Sequence, residues 1–443
     1  MRHPEPQTAR RRVVVTGMGW ITPLGDNLET VWRRLLNGDS AVCCTALFDA
    51  GTFPTTFSAE VKHFDLAHYL GPEARRHQDA SRNALFALAA ARMAWDHAGL
   101  DHAPDLDRTR VGIYLGGGEG PIDFDNFVAA AVAGWDRQGN GGAGALDARK
   151  WVDVARTRLT AIREFEQDPN MAAGHIACLF NVQGPTLNTL TACAASTQAI
   201  GEATCLIRRG DADVIVSGGT HSMIHPFGVT GFNRLTALST RNDSCASASR
   251  PFDQTRDGFV LGEGAGMAIL EEYEHARRRG ARCFAEVTGY GSTADAFRIT
   301  DIHEDGRGGI AAMRQALDDA GLKPTDIDYI SAHGTGTEEN DKIESLAIGK
   351  VFGDYARKVP ISSIKSMMGH LIAAAGVVEL ITCVLAIRDG KVPPTTNYRT
   401  PDPNCPFDYV PNKARDAKVD TTLSNSFGFG GQNDTLIIQR MTK

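Results

Sequence analysis

The sequence predicts an α/β protein in which two blocks of similar organisation follow each other along the chain. In both blocks, short apolar runs that end in glycine alternate with longer amphipathic runs, which is typical of strands and helices in layered, largely parallel sheets. Each block also has a reactive side chain at the start of an alanine-rich run, Cys193 in the first and His370 in the second. These observations lead us to expect an internal duplication of one α/β unit.

Composition and charge limit the class of protein. Of the 443 residues, 42% are hydrophobic and 22% are charged, which suits a globular protein with a large core. The formal net charge of −7 argues against nucleic acid as the main partner. No apolar stretch is long enough to span a bilayer, and the basic residues 1–12 lack the apolar core of a signal peptide, so we expect a frayed arm there. The nine cysteines show no metal-ligand spacing, and their odd number is typical of reduced thiols in a cytoplasmic protein.

The first block begins with a buried strand at Val13, followed by a helix capped near Asp26-Asn27 and ended at Gly38. Gly17 and Gly19 vaguely resemble a nucleotide loop, but the full G-x-G-x-x-G pattern is missing, which argues against dinucleotide binding. The remaining runs predict a helix over 79–99, a strand over 111–116, a core segment over 172–180, and strands over 213–219 and 258–270. Between them, residues 133–166 combine a glycine cluster with a charged helical segment from 150 onward, so we expect a surface excursion.

The second block repeats this alternation. Its runs predict a strand over 284–290, a helix over 309–321, strands over 327–332 and 359–362, and helices over 341–352 and from 370 to about 388. Asn340 is the expected cap of the helix over 341–352. His333 directly follows a predicted strand, and ligands of parallel sheets bind at the carboxyl ends of strands.

Three local patterns carry reactive side chains: Thr191-Ala-Cys193, His333-Gly-Thr-Gly-Thr337 and Lys365-Ser-Met-Met-Gly-His370. A thiol in the first turn of a helix lies near the positive end of the helix dipole, which lowers its pKa, and the small residues around Cys193 leave room for a carbonyl group. Taken singly, a cysteine is more often a core filler and a histidine more often a structural hydrogen bonder. Together they favour a nucleophile that takes an acyl group and two neutral imidazoles that stabilise an enolate oxygen.

Seven ordered motifs resemble those of the β-ketoacyl synthases, specifically the Cys-His-His elongating enzymes of type II fatty acid or polyketide systems. They are the segments 14–19, 191–193, 250–253, 256–262, 333–335, 365–370 and 425–431. The resemblance implies a thiolase-like fold, in which duplicated α/β halves over 13–273 and 274–443 form a five-layer αβαβα sandwich. It also implies decarboxylative Claisen condensation of acyl and malonyl groups by a homodimer, or by a heterodimer with a related subunit.

The resemblance further implies a role for each reactive residue. Cys193 accepts an acyl group from the phosphopantetheine arm of acyl carrier protein, so no resident cofactor or metal ion is expected. His333 and His370 hydrogen-bond the malonyl thioester oxygen and stabilise the enolate that forms on loss of CO₂. Lys365 pairs with Glu379 and orders the histidine region. We favour this supporting role over proton transfer, because a paired ammonium keeps its proton and is a poor base.

Other residues are implied in substrate binding. Thr335, Thr337 and Thr300 match threonines that hydrogen-bond the pantetheine. Phe429 matches a gate between the cysteine and the acyl pocket, and its backbone N–H joins that of Cys193 in the oxyanion hole. Exposed cations that receive the acidic carrier protein are expected at Arg75, Arg76, Arg82 and Arg234.

The sequence departs from the family pattern at several positions. Gly336 stands where serine is common, Arg298 stands where histidine is common, and His221 and His225 add polar bulk after a strand. The excursion over 133–166 is longer than we expect for a housekeeping synthase. These departures leave the acyl chain and the pathway open.

Two other functions compete with condensation. One is a non-elongating partner subunit of the chain-length-factor type, which typically lacks the nucleophile that Cys193 supplies here. The other is a thiolase-type degradative enzyme, which needs a second cysteine as a base. Cys405 lies in a Pro/Asp loop unlike that motif.

Overall fold

The computed structural model describes residues 10–103, 105–118, 123–300 and 302–442. Its strands are β1 (Val13–Ile21), β2 (Cys43–Cys44), β3 (Phe57–Ser58), β4 (Val111–Gly116), β5 (Trp135–Asp136), β6 (Ala145–Leu146), β7 (Thr186–Thr189), β8 (Val214–His221), β9 (Gly264–Glu272), β10 (Ala285–Ala294), β11 (Tyr329–Ser331), β12 (Ile361–Ser362), β13 (Lys391–Val392), β14 (Arg415–Asp416), β15 (Thr421–Gly428) and β16 (Gln432–Gln439).

The α-helices of the same residues include the predicted helical runs and others that the sequence did not predict. They are α1 (Leu28–Asn37), α2 (Ala67–Leu70), α3 (Arg82–Ala98), α4 (Phe124–Gly134), α5 (Ala148–Arg158), α6 (Ala161–Phe165), α7 (Met171–Phe180), α8 (Ala195–Arg209), α9 (Pro226–Arg234), α10 (Tyr273–Arg278), α11 (Arg307–Ala320), α12 (Glu338–Phe352), α13 (Lys365–Met368) and α14 (Ala375–Asp389).

The main sheet consists of two five-stranded halves with the same topology. Its order is β7-β4-β8-β9-β1 in the first half and β12-β11-β15-β16-β10 in the second. Ranked by their position in the chain, the strands of both halves follow the order third, second, fourth, fifth, first. The halves meet through β1 and β10, which pair only at Val14 with Glu286 and at Val15 with Ala285. The boundary between residues 273 and 274 stays a prediction.

The expectation of largely parallel sheets is wrong. β4 runs parallel to β7 and β8, and β11 runs parallel to β12 and β15, but the other pairs of the main sheet are antiparallel. In the second half, β15 and β16 are joined by a tight turn containing Gly430 and Gly431 rather than by a helix. Such a short connection permits only antiparallel pairing.

Five layers stack around two central helices. α8 contacts β4 and β8 of the first half and β10 and β16 of the second, while α14 contacts β15 and β16 as well as β8 and β9. On the outer faces, α3 packs on β1 and β9, and α11 packs on β10 and β16. The fold is therefore the αβαβα sandwich of thiolase-like proteins, as predicted.

Small residues let the central helices approach closely. A Cβ added to Gly376 on α14 would lie 1.9 Å from Thr197 Oγ1 on α8. Nearby, Ser196 Oγ accepts a hydrogen bond of 3.0 Å from the Val377 N–H. Every residue of α14 from Ala375 to Ile387 is buried. The small residues at the starts of both helices follow from this close approach between two sheets.

The expectation of a frayed arm is wrong at its last three residues, because Arg10, Arg11 and Arg12 pair with Asp319, Asp213 and Glu286 respectively. Residues 1–9 of that arm lie outside the described residues. The charged segment from residue 150 is helical, as expected, and consists of two helices, α5 and α6. Within the described ranges, no helix combines the length and the apolar character that crossing a membrane requires.

Candidate active site

Cys193 lies in a single 3₁₀ turn, Ala192–Ala194, that leads directly into the buried helix α8. The residue before it, Ala192, adopts a φ of 46°, a left-handed conformation that is costly for a residue with a Cβ. The second half repeats this device, because Ile372 has a φ of 44° in the turn that precedes α14. Cys193 is only 4% exposed. The predicted position at a helix start is thus observed, whereas the predicted lowering of its pKa stays a prediction.

His333 and His370 lie next to Cys193, although 140 or more positions separate the cysteine from either histidine. One ligand atom from each of the three side chains lies within 4.8 Å of those of the other two. The imidazole ring centres are 5.4 Å apart, with the ring planes at 81°. His333 follows β11, and His370 lies between α13 and α14. The fold thus brings together the three residues that the sequence singled out.

Both imidazoles are neutral at physiological pH. Burial, with the nearby Lys365 ammonium, holds the pKa values of His333 and His370 well below the usual range of histidine. His370 Nδ1 accepts a hydrogen bond of 3.2 Å from the Ile372 N–H, which leaves the proton of the neutral ring on Nε2. Within the described part of the chain, that buried Nε2 has no hydrogen-bond partner. It is an N–H donor held ready for a substrate oxygen.

Lys365 links the backbone of His333 to Glu379. Its Nζ donates a hydrogen bond of 2.6 Å to the backbone carbonyl of His333 and contacts the Glu379 carboxylate. All three groups are buried. Burial raises the pKa of Glu379 to about 7, and the Lys365 ammonium opposes that rise. The geometry supports the positioning role predicted for Lys365, because its ammonium is occupied by two acceptors.

Glu344 is a site residue that the sequence did not reveal. Its carboxylate accepts hydrogen bonds of 2.8 Å from both the His333 N–H and the Gly334 N–H. It also contacts Asn425 Nδ2 at 3.3 Å. Burial raises the pKa of Glu344 to about 7. The available signal was a glutamate on the buried face of α12, among Ile343, Ala347 and Ile348.

A cavity of about 300 Å³ opens onto Cys193, His333 and His370. Thr300, Thr335 and Thr337 all line it, and their role in binding the pantetheine stays a prediction. Thr335 Oγ1 and Thr337 Oγ1 are hydrogen-bonded to each other at 3.0 Å. Thr337 also caps α12, so the expectation that Asn340 is the cap is wrong: α12 begins at Glu338, and Asn340 N–H donates to Thr337 Oγ1.

Phe429 lines the same cavity from a glycine-rich turn. The adjacent Gly428 packs so closely on the nucleophile turn that an added Cβ would lie 2.7 Å from Thr191 O and 3.3 Å from Cys193 N. On the other side, the Gly430 N–H donates a hydrogen bond of 2.7 Å to Ile299 O. Gly430 has a φ of +87°, which only glycine adopts readily. The role of Phe429 as a gate stays a prediction.

The four arginines expected at a docking surface differ in exposure. Arg75, Arg76 and Arg234 are exposed, and Arg234 precedes Leu235 at the cavity wall. Arg82 does not fit that expectation. Its guanidinium is half-buried and binds the buried carboxylate of Glu263 at 2.5 Å. The charge is therefore paired inside the protein rather than presented to a partner.

The departures from the family pattern have identifiable positions. Gly336 has a φ of +84°, which disfavours a serine there, and its N–H donates to Asp341 Oδ1 at 3.2 Å. Arg298 is exposed and lies over the ring of Phe297. His225 caps α9, whereas His221 is buried at the end of β8.

The cluster of Cys193, His333 and His370 could also hold a metal ion. One thiolate and two neutral imidazoles form a donor set of the kind that binds Zn²⁺. The same lone pairs and N–H groups are the ones a condensing mechanism needs for the substrate. The expectation that the protein has no resident metal stays a prediction.

Comparisons with known proteins agree along nearly the whole chain. The model of the β-ketoacyl synthase N-terminal domain matches residues 10–276, and the model of its C-terminal domain matches residues 284–399. The 3-oxoacyl-[acyl-carrier-protein] synthase 2 of Coxiella burnetii is 41% identical over 434 residues, which cover 98% of this chain and 99% of that protein. The protein of the same name from Synechocystis is 40% identical and covers 97% of this chain and 98% of its own length.

Solved structures give the same result. A β-ketoacyl synthase from Burkholderia phymatum is 32% identical, with a TM-score of 0.85, over 98% of this chain and 100% of that one. A ketosynthase structure described as a type II polyketide acyl-carrier protein in complex with its ketosynthase bound to the hexaketide is 34% identical. Its TM-score is 0.83, over 98% of this chain and 100% of the other.

The fold and the site define a thiolase-like condensing enzyme. The chain belongs to the β-ketoacyl synthase family. It is a condensing acyltransferase, as the sequence predicted.

Proposed function

We propose that this β-ketoacyl synthase takes its acyl chain and its malonyl unit from acyl carrier protein and joins them at Cys193. The observation that carries the proposal is the convergence of Cys193, His333 and His370 within 4.8 Å at the end of a threonine-lined cavity. A carrier supplies its own phosphopantetheine arm, so the reaction needs no resident cofactor. The names of the relatives from Coxiella burnetii and Synechocystis support carrier-bound substrates.

In the first half-reaction, Cys193 takes the acyl group. Its sulfur attacks the thioester carbonyl, the carbonyl oxygen becomes an oxyanion, and the carrier thiol leaves with the proton that the cysteine loses. The backbone N–H groups of Cys193 and Phe429 form the oxyanion hole. The close packing of Gly428 on the Cys193 turn supports this pairing, because it brings the two backbone segments together.

In the second half-reaction, the malonyl thioester loses CO₂. The electron pair of the broken C–C bond stays with the thioester, which becomes an enolate. His333 and His370 donate N–H hydrogen bonds to the enolate oxygen, and neutral imidazoles are the form that their lowered pKa values favour. The enolate carbon then attacks the acyl-cysteine carbonyl and the Cys193 thiolate leaves. The product is a carrier-bound 3-ketoacyl chain that is two carbons longer.

Supporting residues complete the proposal. Lys365, held by Glu379, orients His333 through its carbonyl, and Thr300, Thr335 and Thr337 bind the pantetheine arm. Phe429 gates the way from the arm to the acyl chain. The second candidate, a non-elongating partner subunit, has no specific observation in its favour, because the nucleophile and both histidines are present.

Intact-mass analysis tests the nucleophile directly. Wild-type protein incubated with acyl-loaded carrier protein should gain one acyl group, and Cys193→Ala should gain none. Cys178→Ala is the matched control, because Cys178 is an exposed cysteine outside the site. An adduct that persists in Cys193→Ala would refute the assignment. With malonyl carrier added, His333→Ala should keep the acyl adduct but release no CO₂.

A homodimer is the proposed assembly. β7 is the last strand of the main sheet, and no other described strand pairs with its outer edge. Leu187 in β7 and Leu190 just after it are 43% and 56% exposed, and Trp135 and Phe165 of the excursion over 133–166 are also exposed. An apolar open edge of this kind favours pairing with a second copy.

Light scattering on the purified chain tests this assembly. The wild type should have the mass of a dimer and Leu187→Asp that of a monomer, while Leu346→Asp, an exposed leucine on α12, should stay dimeric. A monomeric wild type would contradict the homodimer and favour a heterodimer with a related subunit.

We propose a cytoplasmic location for the protein. We also propose that acyl carrier protein docks at the cavity mouth near Arg234.

A further inference from the structure

His221 is a buried polar side chain that the proposed mechanism does not use. It is 0% exposed, and among the described residues neither of its ring nitrogens has a hydrogen-bond partner. An unsatisfied buried polar group costs about 1–3 kcal/mol, so its presence calls for a physical reason. Burial also lowers the pKa of His221 to about 3, so the ring is neutral and offers one N–H donor and one acceptor.

The strand alternation directs His221 toward the catalytic layer. On β8, Thr220 turns outward, because its hydroxyl donates a hydrogen bond of 2.7 Å to the carbonyl oxygen of Asn83 on α3. Gly219 faces inward, since an added Cβ would lie 2.8 Å from Ser196 Cβ on α8. His221 follows two positions later and therefore lies on the same inward face.

The end of β4 also packs near the start of α8 and near His221. An added Cβ on Gly116, the last residue of β4, would lie 2.4 Å from the Ser196 N at the start of α8. Two residues further on, an added Cβ on Gly118 would lie 2.3 Å from His221 Nδ1. The ends of β4 and β8 therefore close around the turn that carries Cys193, and the imidazole lies between them.

The chain that follows His221 joins an apolar cluster with Cys193. Cys193 belongs to a buried hydrophobic cluster with Ile224, Val229 and Phe232. Ile224 follows His221 by three residues. The titratable groups close enough to influence His221 or to be influenced by it are His225 and His370. Both are neutral bases, and within the described ranges no carboxylate or ammonium group hydrogen-bonds the ring. The pantetheine side of Cys193, in contrast, is lined by threonines.

From this placement we infer that His221 forms a polar subsite for an oxygen on the acyl chain carried by Cys193. The ligand class is an acyl group bearing a keto or hydroxyl oxygen beyond its thioester carbonyl. The ring N–H donates to a ketone, and the other ring nitrogen can accept from a hydroxyl group. This inference rests on the proposed function, because it describes the chain that the synthase extends.

The subsite discriminates between chains for a simple physical reason. A saturated chain leaves both ring nitrogens buried and unpaired, whereas an oxygenated chain pairs at least one of them. A site built to hydrogen-bond a substrate oxygen therefore rejects an analogue that lacks it, and we expect at least about a tenfold preference. Oxygenated intermediates would thus be favoured over fully reduced chains of the same length.

The test measures acylation rates of Cys193 by intact mass with carrier-bound chains of one length. One chain is saturated, and the others carry a single oxo or hydroxyl group at successive positions. Wild type should acylate with at least one oxygenated chain about tenfold faster or more than with the saturated chain. His221→Leu should lose that preference and gain rate with the saturated chain, and His221→Gln, which keeps a donor and an acceptor, should retain it in part.

His225→Asn is the matched control, because it removes a neighbouring imidazole but keeps a residue suited to capping α9. It should leave the preference unchanged. Equal rates for all chains in wild type, or the same preference in His221→Leu, would overturn the inference while leaving the nucleophile assignment intact. Absence of any adduct from every chain would instead overturn the proposed function.

Discussion

Replacing Glu344 with glutamine tests how the position of His333 is maintained. The two carboxylate oxygens receive the N–H groups of His333 and Gly334, each at 2.8 Å. A glutamine side chain presents one oxygen and one NH₂ group, so one of the two backbone donors must face another donor. The loss of one charge-assisted hydrogen bond and a buried unpaired N–H together cost about 2–4 kcal/mol.

We expect this cost to act mainly on the decarboxylation step. If about 2 kcal/mol of it is lost from stabilisation of the enolate, the decarboxylation rate falls roughly 30-fold. Because Glu344 does not line the cavity, the KM for malonyl carrier should stay close to wild type while kcat falls. Acylation of Cys193 should continue, since that step uses the backbone around Cys193 rather than His333.

The assay follows CO₂ release and the Cys193 adduct in parallel, with chemical denaturation to separate stability from activity. Lys350→Gln is the matched control, because it changes an exposed residue on the same helix. Wild-type decarboxylation in a folded Glu344→Gln protein would refute the reasoning. Equal losses of both half-reactions would show instead that the substitution perturbs the site as a whole.

Three further outcomes follow from the structure. Burial raises the pKa of Asp434 to about 7, so its contribution to stability is complete below the unfolded pKa of about 4 and is lost as the pH rises through 7. Asp434→Asn should therefore raise the unfolding free energy near pH 8 by up to about 4 kcal/mol and change it little near pH 4. An equal change in unfolding free energy at both pH values would contradict this. Gly336→Ser should lower the unfolding free energy in urea by about 1–3 kcal/mol, because its φ is +84°, whereas Gly231→Ser, which meets no atom within 4 Å, should change it little. Treatment with a chelator should leave Cys193 acylation unchanged, and added Zn²⁺ should inhibit it reversibly, because the three ligand atoms lie within 4.8 Å of one another; a loss of activity on chelation would show a resident metal.

The sequence predicted most elements because their signals are local. β1 and α1 follow from an apolar run and from a helix with Asn27 and Gly38 at its ends, and both are observed. The duplication was visible only as two alanine-rich runs. The structure shows the duplication more clearly. Both halves have the same strand order, and Ala192 and Ile372 have the same left-handed conformation in the turns before α8 and α14.

Local signals were insufficient where long-range contacts decide the outcome. Strand direction depends on how the chain returns, so the parallel sheet predicted from alternation was wrong for β15 and β16. Arg82 carries the same charge as Arg75, and nothing near it in the chain shows that Glu263 lies 2.5 Å away. Glu344 was missed because its partners are backbone N–H groups of a distant turn.

By itself, the sequence determined the chemistry of this protein, because Cys193, His333 and His370 each occur in a short motif whose residue types suit one step of a condensation. Only the tertiary structure decided how those motifs act together. It brings their ligand atoms within 4.8 Å, buries them so that both imidazoles are neutral, and anchors His333 through Lys365 and Glu344. The physical reason is that reactivity depends on burial and on neighbours, and those neighbours come from strands and helices far apart in the chain.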